Sequence, residues 1–112
     1  MMSTAPPFFL THDQAARLQA YIKTYRQHAF DTMLPTTERN SLLRLTQSVQ
    51  GKLGQLQSLR DESLPLVLTQ EEKTALKAVI TELLNLYAQQ PESKERIRML
   101  GDLVALKRGL NT

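Results

Sequence analysis

The sequence predicts an all-α protein, a four-helix bundle built from two similar antiparallel helical hairpins. Apolar residues recur at three- and four-residue steps along most of the chain, as amphipathic helices require. Pro35, Pro65 and Pro91 interrupt this pattern at three points, which separates four helical segments. The second half of the chain also repeats the first in looser form. At 112 residues, we expect one domain with its own core.

The second hairpin, about residues 64–110, is the clearer of the two. Thr69 is a suitable N-cap, and Glu71 and Glu72 place acidic groups in the first turn, with Glu72 at the capping-box position. Pro91 ends this helix and suits the first turn of the next, for which Ser93 is an alternative cap. The two predicted apolar faces comprise Leu76, Val79, Ile80, Leu83, Leu84, Leu86 and Tyr87, followed by Ile97, Met99, Leu100, Leu103, Leu106 and Leu110.

The first hairpin, about residues 10–60, follows the same plan. Thr11 caps its first helix, and Pro35 ends it. Thr36 or Thr37 caps the second helix, although Thr37 fits less well because no acidic residue follows at the third position. Residues 61–65 form the linker between the hairpins. The predicted apolar stripes are Ala15, Leu18, Ile22, Tyr25 and Ala29 on the first helix and Leu42, Leu45, Val49, Leu53, Leu56 and Leu59 on the second.

The two halves of the sequence align with each other. A shift of 58 lays residues 7–22 over 65–80, and a shift of 57 lays residues 38–53 over 95–110. Both segments of the first pair open with a Pro-apolar-apolar-Leu-Thr sequence. Chance similarity between leucine-rich helices explains part of the alignment, but it explains this shared opening less well. We therefore predict an internal duplication of a helical hairpin, with a pseudo-twofold axis.

Residues 1–9 are predicted to form a flexible N-terminal arm ahead of a single domain at 10–112. Phe8, Phe9 and Leu10 have two interpretations, a docking motif exposed to solvent or a segment that packs against the bundle, and we favour packing. Two glycines inside the second helix, Gly51 and Gly54, fit either a kink or the close approach of a neighbouring helix, and we favour close approach.

The sequence has few of the residues on which enzymes depend. Cysteine is absent, which excludes disulfides and cysteine-based zinc sites. His12 and His28 lie sixteen residues apart, about 24 Å along a helix, which is too far to share a metal ion. No phosphate loop, dinucleotide fingerprint or nucleophile elbow is present. We therefore predict a protein that is not an enzyme, with no catalytic residue, metal or cofactor.

The N-terminus has no basic region and too short an apolar run for a signal peptide. The chain also has no apolar stretch long enough to span a membrane. The sequence therefore predicts a cytoplasmic protein that does not associate with membranes.

The positive charge is uneven along the chain. Residues 1–60 contain seven basic and three acidic residues, which gives +4, whereas residues 61–112 contain seven basic and eight acidic residues, which gives −1. This asymmetry favours an acidic partner for the first hairpin. The candidates for contact with an anion or a nucleic acid are Arg17, Lys23, Arg26, Arg39, Arg44, Lys52 and Arg96.

The most specific polar feature is a pair of matched dipeptides, Glu38-Arg39 and Glu95-Arg96. The first interpretation makes them early-turn helix charges that bridge the hairpins across the pseudo-twofold axis. The second makes the two arginines a symmetric anion site, because guanidinium suits bidentate recognition. We favour the bridges.

The sequence thus predicts a non-enzymatic interaction module that binds a protein partner or associates with itself, or a small subunit of a larger assembly. The excess of leucine on the third and fourth helices suggests an oligomer interface. The alternative function is nucleic-acid binding through the basic first hairpin, which predicts an affinity that falls with salt.

Overall fold

A computed structural model describes residues 7–111 of the chain. Its elements, in order, are β1 (Phe8–Leu10), α1 (His12–Thr32), α2 (Thr37–Gln57), β2 (Leu64–Leu66), α3 (Gln70–Ala88) and α4 (Lys94–Leu110). The four helices pack against each other, which confirms the all-α four-helix bundle. Within residues 7–111, none of the helices combines the length and apolar character needed to cross a membrane.

Each helix begins at a hydroxyl side chain that accepts a hydrogen bond from the backbone at the third position on. The N-caps are Thr11, Thr36, Thr69 and Ser93. These hydroxyls satisfy backbone N–H groups that have no partner inside the helix. Thr36 is therefore the cap of α2, and α4 begins at Ser93 rather than at Pro91.

A two-stranded antiparallel ribbon, absent from the sequence prediction, joins the two hairpins. Phe8 pairs with Leu66, and Leu10 pairs with Leu64. The last two residues of the predicted flexible arm thus belong to β1, and part of the predicted linker belongs to β2; residues 1–6 lie outside the described part. Under the shift of 58, Phe8 and Leu66 are equivalent positions, so a twofold axis that relates the two hairpins can pass between them. The duplication itself stays a prediction.

The core lies between the helices and beneath the ribbon. The predicted stripe of α1 is buried throughout, whereas the predicted stripe of α2 is rotated. On α2, Leu43 and Thr46 are buried, but Leu42 and Leu45 are half-buried, and Leu59 is exposed beyond the end of the helix. The rotation follows from packing, because α2 lies against both α1 and α3 and its buried side faces between them.

The helices do not surround the core evenly. The two hairpins are tightly packed, and α2 packs closely on α3, but α1 and α4 approach each other only marginally. Asp102 of α4 spans the gap, because it accepts hydrogen bonds from Tyr21 Oη at 2.8 Å and Arg17 Nε at 2.9 Å. Polar side chains therefore supply the contact between α1 and α4.

Glu72 is a buried carboxylate at the start of α3, with a side chain only 3% exposed. It accepts hydrogen bonds from Lys52, from Ser48 Oγ at 2.7 Å and from the backbone N–H of Thr69 at 2.9 Å. Burial alone would raise the pKa of Glu72, but these hydrogen bonds favour the ionised form and lower the pKa below its ordinary value. Lys52 also donates to the Val67 carbonyl, so this cluster fastens α2 to α3 and to the end of β2.

Acidification should weaken this cluster. Because the folded-state pKa of Glu72 is lowered, its ionised form stabilises the fold above the ordinary glutamate pKa. That contribution is lost as the pH falls through the lowered value. Glu72→Gln should cost about 1–3 kcal/mol near neutral pH and flatten the acid side of the pH–stability curve. Urea unfolding across a pH series measures both effects, and Glu71→Gln, at an exposed position, is the control. Equal curves for the two variants would contradict the role given to Glu72.

The close approach of a neighbouring helix that was predicted at Gly51 and Gly54 is wrong. A Cβ at Gly51 would meet nothing within 4 Å, and one at Gly54 would meet only Gln19 Nε2 at 4.0 Å, so neither glycine permits a close helix contact. Gly109 lies inside α4, and a Cβ there would overlap the Phe8 ring. Phe8 thus packs against α4 at a position that only glycine leaves open, which confirms for this residue the packing predicted for the segment.

Gly109→Ala should destabilise the protein, because the added methyl group would overlap the Phe8 ring. Gly51→Ala is the matched control, since it places alanine in open space on a helix and should stabilise the fold by about 0.5–1 kcal/mol. Free energies of unfolding from urea titrations should therefore change in opposite directions. A stabilising Gly109→Ala would refute the proposed contact.

Candidate interaction surface

Most of the basic residues predicted to contact an anion or nucleic acid have partners within the chain. Arg26 donates to the Leu43 carbonyl and to Thr46 Oγ1, which joins α1 to α2. Lys52 donates to Glu72 and Val67 in the cluster already described. These side chains contribute to the packing of the bundle. The prediction that these residues contact an anion is untested. It did not include the hydrogen bonds that they make within the chain.

Arg39 and Arg96 occupy equivalent positions and make equivalent contacts. Arg39 Nη1 donates to the Met33 carbonyl at 3.3 Å, and Arg96 Nη1 donates to the Gln90 carbonyl at 2.7 Å. In each case the guanidinium reaches back six residues to the end of the preceding helix. Arg39 also lies over the Phe30 ring, 5.4 Å from its centroid. The predicted bridges between hairpins are not observed within residues 7–111. Each arginine instead closes the turn of its own hairpin.

Arg17 lies in the polar gap between α1 and α4, a cleft of about 520 Å³. Burial lowers its pKa, but its contacts with Asp102 and Asp13 outweigh that effect and raise the pKa above its ordinary value. Burial and the hydrogen bond to Asp102 raise the pKa of Tyr21. These groups are therefore held in fixed protonation states near neutral pH. They stabilise the α1–α4 contact.

Two of the seven predicted residues, Lys23 and Arg44, are exposed, and within residues 7–111 neither side chain has a hydrogen bond or ion pair. Lys23 lies on α1 and Arg44 on α2, so they belong to different helices. The structure thus does not gather the predicted basic residues into one surface.

A different surface, on the outer side of the second hairpin, combines apolar and basic side chains. On α4, Ile97 is 55% exposed and Val104 is 38% exposed. At about 100° per residue, these two and Leu100 fall within about 60° of one another. Leu84 of α3 and Leu100 of α4 are half-buried and pack on the edge of the core. We call this surface the hairpin-2 face, and it consists of Lys77, Leu84, Ile97, Leu100, Val104, Lys107 and Arg108.

The charges of α3 and α4 are sorted between the two sides of the hairpin. Lys77 lies about 20° from Leu84 around α3, and Lys107 and Arg108 flank the α4 stripe. The acidic residues of the two helices lie on other sides of α3 and α4, and they are Glu71, Glu72, Glu82, Glu95 and Asp102. Of these, Glu72 contacts α2 and Asp102 contacts α1. The hairpin-2 face is therefore apolar and positive, although residues 61–112 carry a net negative charge.

The corresponding surface of the first hairpin is polar. Leu84 corresponds to Arg26, Ile97 to Asn40 and Val104 to Gln47 under the two sequence shifts. Gln19, at the position of Lys77, donates a hydrogen bond to the Gln50 carbonyl at 2.9 Å. The first hairpin thus covers its outer seam with polar groups. The second hairpin leaves apolar groups in solvent, so the bundle architecture alone does not require them there.

Sequence reasoning identified the excess of apolar residues on the third and fourth helices but not the basic residues beside them. Lys77, Lys107 and Arg108 were missed because charge was summed over halves of the chain, and acidic residues on other sides of α3 and α4 cancelled it. Plotting charge by angle around each helix would have found the face.

Comparisons with protein-family models, curated proteins and solved structures gave no match for this chain. Among residues 7–111, no group of three or more histidine or acidic side chains is placed to hold a metal ion. The geometry of the chain is therefore the basis for the functional proposal.

Proposed function

We propose that this chain is a non-enzymatic protein–protein interaction module, and that the hairpin-2 face is its binding surface. The observation that supports the proposal is the exposure of Ile97 and Val104 beside a basic cluster, at positions where the first hairpin is polar. Exposed apolar patches with polar rims mark interaction sites on proteins. The cytoplasmic location predicted from the sequence belongs to this proposal and stays a prediction.

The chemistry of the face specifies its partner. Burying Ile97 and Val104 favours association, and these side chains lie two helical turns apart, about 10 Å. Lys77, Lys107 and Arg108 favour acidic groups at the edge of the partner, and such charges mainly set orientation and association rate. The partner is therefore a protein surface with apolar residues flanked by carboxylates.

The nucleic-acid alternative receives less support from the same observations. A phosphate-binding surface needs basic side chains that are free to reach the backbone of the nucleic acid. Arg17, Arg26 and Lys52 already donate hydrogen bonds within the chain. Binding to nucleic acid stays a prediction of the sequence and is one outcome of the experiment below.

The test uses a synthetic amphipathic helix with leucines on one face and glutamates flanking them. It should bind saturably in fluorescence anisotropy, and Ile97→Ser with Val104→Ser should weaken it by about tenfold or more. Both positions are exposed, so circular dichroism should show that the double variant remains folded.

Asn40→Ser with Gln47→Ser is the matched control, because it changes the equivalent positions of the first hairpin and should leave affinity unchanged. A peptide with lysine in place of glutamate should bind less well. Equal affinity of the two peptides, or of wild type and the Ile97/Val104 variant, would refute the hairpin-2 face as the binding surface. Tighter binding of an oligonucleotide than of either peptide would favour the alternative function.

A further inference from the structure

A second apolar surface lies between α2 and α3. It is a shallow open groove of about 330 Å³ whose exposed lining is almost entirely apolar. The apolar residues that line it are Leu42, Leu45, Ala75 and Ala78, and Glu71 is its one charged lining residue. The two alanines leave a trough beside the half-buried leucines of α2, which is a shape that accepts branched side chains.

Acidic residues lie on the same sides of α2 and α3 as the residues that line this groove. On α3, Glu71 and Glu82 lie within about 40° of Ala75 and Ala78. On α2, Glu38 lies one turn before Leu42 and about 40° from it around the helix. Lys52 is paired with Glu72, and Arg44 lies about 100° from Leu45 around α2. The groove is thus apolar with acidic ends.

The groove and the hairpin-2 face are complementary in shape and charge. The face presents two branched side chains, Ile97 and Val104, with basic residues beside them. The groove presents an apolar trough with acidic residues at its ends. We infer that the occupant of the hairpin-2 face is the α2–α3 groove of a second copy of this chain. This inference rests on the proposed function, since it names the partner of the same face.

Contact between two different surfaces has a consequence for assembly. Each copy would use its face toward one neighbour and its groove toward another, so the contact is heterologous. Such contacts close into a ring when the rotation between copies allows it and otherwise extend into a filament. The chain is therefore a self-assembling subunit, and its assemblies grow with concentration and weaken with salt.

Two variants separate the surfaces without disturbing the core. Ile97→Ser with Val104→Ser removes the face, and Ala78→Arg places a bulky cation in the groove at an exposed helix position. In sedimentation velocity, wild type should form species larger than a dimer as concentration rises. Each variant alone should remain monomeric. Mixed in equal amounts, the two variants should form a 1:1 complex, because one retains the groove and the other retains the face.

Thr81→Arg, at an exposed position of α3 outside the groove lining, is the control and should assemble like wild type. Monomeric wild type at all concentrations, or a mixture that stays monomeric while wild type assembles, would overturn the inference. Loss of assembly in the face variant alone would indicate a symmetric face-to-face dimer and would also overturn it. If wild type stays monomeric but still binds the acidic peptide, the proposed function stands and its partner is another protein.

Discussion

The antiparallel pairing of β1 with β2 determines how the two hairpins meet. Each strand leads directly into the N-cap of a long helix, Thr11 for α1 and Thr69 for α3. The three strand pairs made by Phe8, Phe9 and Leu10 therefore set the position of α1 relative to α3. The inward side chains Leu10, Leu64 and Leu66 are fully buried, so a change of register would expose them.

The two halves of the chain differ at equivalent positions on the helices beside this ribbon. Lys52 and Gly109 occupy equivalent positions on α2 and α4. On α2, Lys52 reaches the Val67 carbonyl and Glu72, so a charged pair fills the contact. On α4, Gly109 has no side chain, and the Phe8 ring occupies that space. Gln14 stands where the other half has Glu72, so α1 and α4 lack a counterpart of the Lys52–Glu72 ion pair, and Arg17 with Asp102 supplies the ion pair between them instead. The unequal helix spacing follows these substitutions.

Most of the correct predictions from the sequence rest on signals that involve only a few neighbouring residues. Helix ends were predictable because hydroxyl caps and prolines act over a few residues, as at Thr36, Thr69 and Pro35. The ribbon was not, because strands of three residues that include Pro65 have no periodicity to detect. Arg26 was interpreted as a candidate for contact with an anion and Arg39 as part of a bridge between hairpins, because the carbonyls that they bind become accessible to them only after the helices have packed. The excess of leucine on the proposed interaction surface was predictable, but the separation of its charges depends on which side of each helix faces outward.

We infer that this chain presents two complementary surfaces on adjacent sides of α3. A dilution series of amide ¹H–¹⁵N spectra of the wild-type protein tests both surfaces at once. Concentration-dependent shifts should be confined to residues of the hairpin-2 face and of the α2–α3 groove, with the outer seam of the first hairpin unaffected. Spectra that do not change with concentration, or shifts centred on the first hairpin, would contradict it.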